Sequence, residues 1–150
     1  AQRISHPDPP GRLMDTPDLS TAAGAEEAFY HALAHGDYAL MDAVWAADDG
    51  VGCIHPGWPA LRGRTAVLQS FRRMFDAGQR LDLRVERLST TAFDGGAIHL
   101  AHEFIRTDDH DPMAPVVATN VFRRYEKGWR IVWHHASATP RVESEATVVH

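Results

Sequence analysis

The sequence predicts a single α+β domain in which three N-terminal helices pack on one face of a mostly antiparallel sheet. Apolar residues recur with a helical period only in the first half of the 150-residue chain, where one short strand separates the second and third helices. The second half carries four consecutive strand-like runs in which apolar and polar residues alternate. Helices on one side of an antiparallel sheet are the usual packing for this order of elements. We expect the sheet to curve over the helices and enclose a pocket.

The ends of the chain are predicted to lie outside this domain. Residues 1–19 hold four of the nine prolines and show no periodic apolar face, which favours a flexible, Pro-rich arm. The domain then spans residues 20–138, and residues 139–150 are expected to form a loose tail.

The three helices are predicted from apolar periodicity and from capping residues. The first begins at residues 20–21, which offer an N-cap, and ends at Gly36. Asp37 caps a second, short helix, which ends before the Asp-Asp-Gly sequence at residues 48–50. The third helix spans residues 64–77, where apolar side chains recur at intervals of three and four.

The strands are predicted from short alternating runs bounded by turn residues. Residues 51–55 form a strand among the helices, and the Pro-Gly sequence that follows opens a loop up to Gly63. A further strand begins at residue 81. The next apolar run ends at the Asp-Gly-Gly sequence of residues 94–96, which is typical of a hairpin turn. The last three strands are expected at residues 97–107, 115–125 and 129–137.

Strand parity assigns side chains to the inner or the outer face of the sheet. In residues 97–106, Ile98, Leu100 and Phe104 share one face with His102. This face is otherwise apolar, so we assign it to the interior and expect His102 to point toward the helices.

Two polar groups of the later strands are also assigned to the interior. Asn120 shares a face with Phe122, and a buried amide without a partner costs about 1–3 kcal/mol, so we expect a histidine or a ligand to bind it. In the last strand, alternation places His135 on the same face as Trp133. His135 is therefore favoured over His134 as the pocket-facing histidine.

Composition excludes several classes of protein and of site. A net charge of -5 is too acidic for a binder of nucleic acid. The single Cys53 excludes an intramolecular disulfide. No apolar run approaches the roughly 20 residues that span a membrane, so a cytoplasmic protein without membrane contact is expected. No nucleotide-binding or metalloprotease motif occurs, and no cofactor or metal is expected; the alternative is zinc on Cys53, His55 and His102.

Four stretches of the sequence carry a resemblance to a known family. They are Ala-Leu-Ala-His-Gly-Asp at 32–37, His-Pro-Gly at 55–57 with Gly-Arg at 63–64, Ala-Thr-Asn-Val-Phe-Arg-Arg at 118–124, and Gly-Trp-Arg-Ile-Val-Trp-His-His-Ala-Ser at 128–137. They resemble the SnoaL-like branch of the nuclear transport factor 2-like superfamily, which includes ketosteroid isomerase and scytalone dehydratase. The resemblance covers residues 20–138 and implies a cone-shaped α+β fold.

The resemblance also suggests site residues. Phe29, His55 and Asn120 fall where ketosteroid isomerases have a tyrosine, an aspartate base and a protonated aspartate, so that activity is not expected here. Scytalone dehydratase is a nearer analogue, because its site resembles paired histidines working with Asn, Ser and Tyr. By this analogy the catalytic residues would be His55 as base, His102 as its proton partner, and Asn120 with Tyr30 as hydrogen-bond donors.

Two functions are consistent with these residues. The first is cofactor-free proton transfer on a small hydrophobic or cyclic metabolite, of the isomerase, dehydratase or cyclase type. The residues expected to line its pocket are Phe29, Trp45, Trp58, Phe71, Phe75, Phe104, Phe122, Trp133 and His135. The second is a non-catalytic ligand-binding or assembly domain. Under both, the apolar row Val117, Thr119 and Val121 on the back of the sheet predicts a homodimer.

Overall fold

The structure is a computed structural model that describes residues 16–106 and 115–140, together with the backbone of residues 3–4. Its elements, in chain order, are β1 Arg3–Ile4, α1 Ala22–His35, α2 Tyr38–Val44, β2 Gly52–Ile54, β3 Leu61–Arg62, α3 Arg64–Asp76, β4 Asp82–Phe93, β5 Gly96–Arg106, β6 Val116–Tyr125 and β7 Gly128–Ala138. The predicted three helices and mostly antiparallel sheet are therefore confirmed. None of the helices in this part of the chain is long and apolar enough to cross a membrane.

The helix boundaries follow from capping groups. The Thr21 side chain accepts a hydrogen bond from the backbone N–H of Gly24 at 3.0 Å and so caps the start of α1. Gly36 ends this helix with φ 68°, a left-handed conformation that favours glycine. Asp37 then caps α2 through the N–H of Leu40 at 3.1 Å. The helix–helix connection is short because the cap of one helix immediately precedes the cap of the next.

The sheet has the order β1-β4-β5-β6-β7-β2-β3. Strands β4 to β7 form an antiparallel meander, and β2 joins its far edge in parallel with β7. Helix α1 packs against the inner face, where it contacts β6 and β7. The side chains buried between helices and sheet include Phe29, Trp45, Phe71 and Ile131. This interface is where any buried site must lie.

Two short strands fall where loop or arm was predicted. Leu61–Arg62 pairs with β2 inside the expected loop, because the chain turns back along β2 before α3 begins. Arg3–Ile4 pairs with the edge strand β4 opposite Val85 and Glu86. The flexibility of the arm and the looseness of the tail stay predictions, since residues 1–2, 5–15, 107–114 and 141–150 lie outside the described part of the chain.

The assignment of strand faces was wrong on β5. Residues at odd positions, including His99 and Glu103, are buried against the helices, whereas His102 and Phe104 are only half-buried on the outer face. The Phe104 ring stacks under the guanidinium of Arg84, with 4.1 Å between the guanidinium carbon and the ring centroid. The more apolar face of this strand therefore points outward, because the inner face carries small and polar residues that meet polar partners on α1.

The assignment on β7 was also wrong, for a different reason. The register between β6 and β7 shifts after Val121, which is paired with Trp133, whereas the next residue pairs with Ile131. The extra residue is a β-bulge, and a bulge reverses the alternation of faces beyond it. His134 is consequently buried, whereas His135 is exposed.

Candidate functional site

Six polar side chains are buried together between α1 and the inner face of the sheet. They are Glu26, Tyr30, His99, Glu103, Asn120 and His134, each at most 4% exposed. Burying polar groups is unfavourable unless each one has hydrogen-bond partners. We therefore expect these six side chains to form a hydrogen-bond network.

Helix α1 and strand β5 each supply two members of this network. Glu26 and Tyr30 are four residues apart on α1, so they lie on one face of the helix. His99 and Glu103 are four residues apart on β5, so they lie on one face of the strand. The helix face and the strand face oppose each other across the interior.

The remaining members lie in one row across the sheet. His99 is paired with Asn120 on β6, and Asn120 is paired with His134 on β7. The row continues to Cys53 on β2, which is paired with His134. Directly paired residues point to the same face, so the row places four chemically active side chains side by side beneath α1.

One end of the network is built on the Glu26 carboxylate. Arg87 donates to Oε1 from Nε at 2.8 Å and pairs with the same oxygen through Nη2 at 2.7 Å. Oε2 lies 3.0 Å from Nδ1 of His99 and accepts from Nδ2 of Asn120 at 3.1 Å. This carboxylate is thus surrounded by donors, an arrangement that stabilises its ionised form.

The other end is built on the Tyr30 hydroxyl. It donates to Oε2 of Glu103 at 2.7 Å and accepts from Nδ2 of Asn120 at 2.8 Å. The Asn120 Oδ1 accepts from Nδ1 of His134 at 2.6 Å. Nε2 of His134 lies 4.0 Å from Oε2 of Glu103. Both Asn120 donor hydrogens are used within the protein, and the predicted partner histidine of this amide is His134.

The two buried carboxyls differ in acidity. Burial raises the pKa of Glu103 to about 7, and the Glu26 charge adds to this effect while the Tyr30 hydrogen bond opposes it. Burial also acts to raise the pKa of Glu26, but the hydrogen bonds and charges of His99 and Arg87 outweigh it and the net pKa is lowered. Glu26 is therefore ionised at neutral pH, whereas Glu103 is poised to gain or lose a proton.

His134 and Tyr30 remain neutral. Burial lowers the pKa of His134 to about 3, with smaller contributions from the nearby His55 and His135. Burial, together with the charges of Glu103 and Glu26, holds the pKa of the Tyr30 hydroxyl well above its usual range. At neutral pH the network thus contains a neutral imidazole, a neutral phenol and one titrating carboxyl.

His55 lies beside this network at the end of β2. Its Nε2 is 2.9 Å from Oγ of Ser70, whose own hydrogen goes to the backbone oxygen of Val67 at 2.6 Å. The ring is packed edge-on against Trp58 and Phe71, with 5.0 Å between centroids in both pairs. Burial lowers the pKa of His55 to about 4, so this imidazole is neutral at physiological pH.

The predicted catalytic residues are only partly brought together. Tyr30 and Asn120 are bonded to each other, and His55 is close enough to His134 to lower its pKa. The expected inward orientation of His102 is wrong, because it lies on the outer face beside Phe104. The alternative zinc set is not assembled for the same reason, and no group of three or more His, Cys, Asp or Glu side chains that could hold a metal ion occurs among the described residues.

Four network members were missed from the sequence, namely Glu26, His99, Glu103 and His134. One signal could have found the first of them: Glu26 lies on the same helix face as Phe29 and Leu33, where a charged residue requires a buried partner. The β5 groups were missed because hydropathy favoured the opposite face. His134 was missed because a bulge leaves no clear mark on alternation.

The nine predicted pocket residues separate into three groups: buried, exposed beside His55, and on the outer face of the sheet. Phe29, Trp45, Phe71, Phe75 and Phe122 are buried in the interior, and that they line a pocket stays a prediction. Trp58 is 42% exposed and covers one edge of His55.

The other three predicted pocket residues are corrected. Phe104, Trp133 and His135 lie on the outer face, so none of them lines the interior. Trp133 instead lies over Gly52 of the neighbouring strand, where a Cβ would come within 2.2 Å of its ring. A larger residue at position 52 would require this ring to move.

Comparison with known families identifies the fold. The profile of the SnoaL-like domain matches residues 24–141, which is most of the chain. This chain belongs to the SnoaL-like family. The resemblance inferred from the sequence is confirmed, and the buried network lies entirely inside the matched part of the SnoaL-like domain.

Two solved structures are similar to this SnoaL-like domain along most of its length. A candidate calcium/calmodulin-dependent protein kinase type II association domain from Thiobacillus denitrificans is 40% identical; the match covers 83% of this chain and 100% of that one, with a TM-score of 0.77. A candidate dehydratase of the nuclear transport factor 2-like family from Streptomyces avermitilis is 31% identical, covering 81% and 96%, with a TM-score of 0.66.

A curated relative is larger. The F-box protein SKIP8 of Arabidopsis thaliana is 28% identical over 110 residues, which is 73% of this chain. The SnoaL-like chain spans about half of that relative, 46% of its length.

Proposed function

We propose that this SnoaL-like domain binds a small hydrophobic or cyclic molecule and transfers a proton on it without a cofactor, as isomerases, dehydratases and cyclases do. One observation carries the proposal: a buried carboxyl, Glu103, with a pKa of about 7 accompanies two buried histidines, His55 and His134, with pKa values of about 4 and 3. Groups whose acidities are pushed apart in this way can donate and accept a proton at the same pH. The pocket expected from the sequence is part of this proposal.

His55 is the proposed base. The hydroxyl of Ser70 gives its hydrogen to Val67, so it must accept a hydrogen from Nε2 of His55. Nδ1 of the neutral imidazole then carries the lone pair that can take a proton from a substrate. The aromatic neighbours Trp58 and Phe71 favour an apolar substrate ring next to this nitrogen.

Glu103 is the proposed proton partner of His55, the role that was predicted for His102 from the sequence. Its protonated carboxyl can donate to a substrate oxygen on which negative charge develops. The Tyr30 hydroxyl holds the carboxyl in place from one side, and Asn120 fixes that hydroxyl in turn. Substrate enolisation would then need a neutral His55 and a protonated Glu103 together, with no metal.

The proposal predicts a bell-shaped pH profile. We expect the protein to catalyse the exchange of deuterium from D2O into the positions next to the carbonyl of a cyclic ketone. Mass spectrometry of the ketone measures the rate of this exchange. The rate should rise through about pH 4 as His55 loses its proton and fall through about pH 7 as Glu103 ionises. A panel of cyclic ketones and β-hydroxy ketones tests isomerase and dehydratase chemistry side by side. No exchange and no water loss across the panel would contradict the proposal.

A matched pair of variants tests the base on any ketone that exchanges. We expect His55→Gln to lower the exchange rate by at least about 100-fold, the lower limit typical of general base catalysis. His102→Gln makes the same substitution on the outer face of the sheet, and its rate should equal that of the wild type. Equal rates in both variants would show that His55 is not the base.

Two observations favour an assembly function as a second candidate. Ile98, Val121 and Trp133 are paired across β5, β6 and β7 and form an apolar row on the outer face, and Ile98 is 37% exposed in the single chain. The relative from Thiobacillus denitrificans is a candidate association domain. We propose that a second copy of this chain covers this row. The homodimer expected from the sequence used the same outer face, through Val117, Thr119 and Val121.

Light scattering coupled to size-exclusion chromatography tests this assembly. The wild type should have twice the mass of one chain. Val121→Glu should have the mass of one chain, because a carboxylate in the middle of the row would be buried without a partner. Gln69→Glu adds the same charge at an exposed position of α3 and should stay dimeric. A wild type that is monomeric at every concentration would overturn the assembly proposal.

A further inference from the structure

The direction of each hydrogen bond in the buried network can be worked out from one group. Arg87 has only donors, so the Glu26 oxygen that it binds must be an acceptor. The second Glu26 oxygen belongs to the same ionised carboxylate and is also an acceptor. The Asn120 atom that lies 3.1 Å from it must therefore be the amide nitrogen.

This orientation of the Asn120 amide fixes its other contacts. With Nδ2 bound to Glu26 and to the Tyr30 hydroxyl, Oδ1 is left facing His134 at 2.6 Å. An amide oxygen only accepts, so Nδ1 of His134 must carry the hydrogen. In a neutral imidazole, Nε2 is then the nitrogen with the lone pair, and it is the nitrogen nearest to Glu103.

The same orientation fixes the Tyr30 hydroxyl. This oxygen already accepts from Asn120, and its own hydrogen is donated to Glu103. The Glu103 carboxyl and Nε2 of His134 thus derive their hydrogen-bond states from one carboxylate, Glu26, on the far side of Asn120.

We propose that Glu26, held by Arg87, is a positioning residue that sets the hydrogen-bond direction through Asn120 and thereby keeps His134 in the tautomer protonated on Nδ1. Glu26 is connected to His134 through two hydrogen bonds, one between Glu26 and Asn120 and one between Asn120 and the ring. None of the hydrogen bonds described above joins Glu26 directly to His134 or to Glu103. The inference concerns hydrogen-bond direction only, so it holds whether or not the domain is an enzyme.

The substitution Glu26→Gln should reverse this direction. Arg87 can only donate, so the new glutamine side chain must turn its oxygen toward Arg87 and its amide nitrogen toward Asn120. Asn120 would then rotate to present Oδ1 to that nitrogen and Nδ2 to His134. Nδ1 of His134 would have to become the acceptor, which moves the hydrogen to Nε2.

Nitrogen-15 spectra of labelled protein without any ligand test the proposal at pH 7. In the wild type, Nδ1 of His134 should have a pyrrole-type shift and Nε2 a pyridine-type shift, assigned by their loss in His134→Gln. Because burial lowers the pKa of this ring to about 3, the neutral tautomer is observed at this pH. In Glu26→Gln the two types of shift should be exchanged.

The neighbouring Glu27 provides a matched control. It lies on the same helix but is exposed, so Glu27→Gln should leave the His134 shifts as in the wild type. A pyridine-type Nδ1 in the wild type would overturn the proposal without any variant, even if Glu26→Gln does not fold. Unchanged His134 shifts in a folded Glu26→Gln would overturn it as well. Neither result depends on the ketone exchange assay.

Discussion

Replacing Phe29 by alanine is expected to lower the free energy of unfolding by about 3–5 kcal/mol, the range for deleting a buried aromatic ring. The Phe29 side chain is fully buried at the centre of the interior. Its ring contacts Tyr30, Trp45, Phe71 and His134, with centroid distances between 4.8 and 6.2 Å. The cavity left by the ring could not be filled without moving the polar network beside it.

Urea unfolding followed by circular dichroism measures this loss. Phe93→Ala is the matched control, since Phe93 is 53% exposed near the β4–β5 turn and should lose less than about 1 kcal/mol. A loss for Phe29→Ala as small as that of the control would contradict the close packing of α1 on the sheet.

Replacing Glu103 by glutamine is expected to remove a pH dependence of stability. The Glu103 pKa is raised from 4.5 to about 7 in the folded protein, so between these values the folded state holds a proton that the unfolded state has lost. The stabilising effect of this proton is complete below about pH 4.5 and is lost as pH rises through about 7. At about 1.4 kcal/mol per pKa unit, the wild type should lose about 3 kcal/mol relative to Glu103→Gln across this interval.

The measurement is the difference in unfolding free energy between wild type and variant from pH 4 to pH 8. His55 and His134 have lowered pKa values, so their contribution to stability rises with pH up to their unfolded values, opposite to Glu103. That contribution is present in both proteins and cancels in the difference. A difference that does not change with pH would mean that the pKa of Glu103 is the same in the folded and the unfolded protein, and it would contradict this prediction.

Local signals in the sequence predicted the elements of this fold. Residues 20–21, Gly36 and Asp37 were predicted as helix caps, and Thr21, Gly36 and Asp37 act as caps in the structure. Such signals succeed because a cap depends on the residue's own side chain or backbone and on neighbours a few positions away. Family membership also followed from contiguous motifs, including the stretch that contains Asn120 and the one that contains His134.

The candidate site was predicted only in part because the six members of the buried network lie on four separate elements, α1, β5, β6 and β7. Tyr30 and Asn120 were expected in the interior, and their direct bond of 2.8 Å joins α1 to β6. Glu26 was missed, because its partners Arg87 and His99 lie on strands more than sixty positions away. No local pattern reports such a distant partner.

The sequence by itself determined the order of the three helices and the five longer strands, the α+β class and the family, because periodicity and caps act over a few residues. Only the tertiary structure decided which face of β5 meets the helices and which histidine of β7 is buried. Hydropathy favoured the face of His102, but the polar partners on α1 make the interior favourable for His99 and Glu103. On β7 a single extra residue reverses the alternation, so His134 is placed inside by strand pairing, which is a property of two strands together.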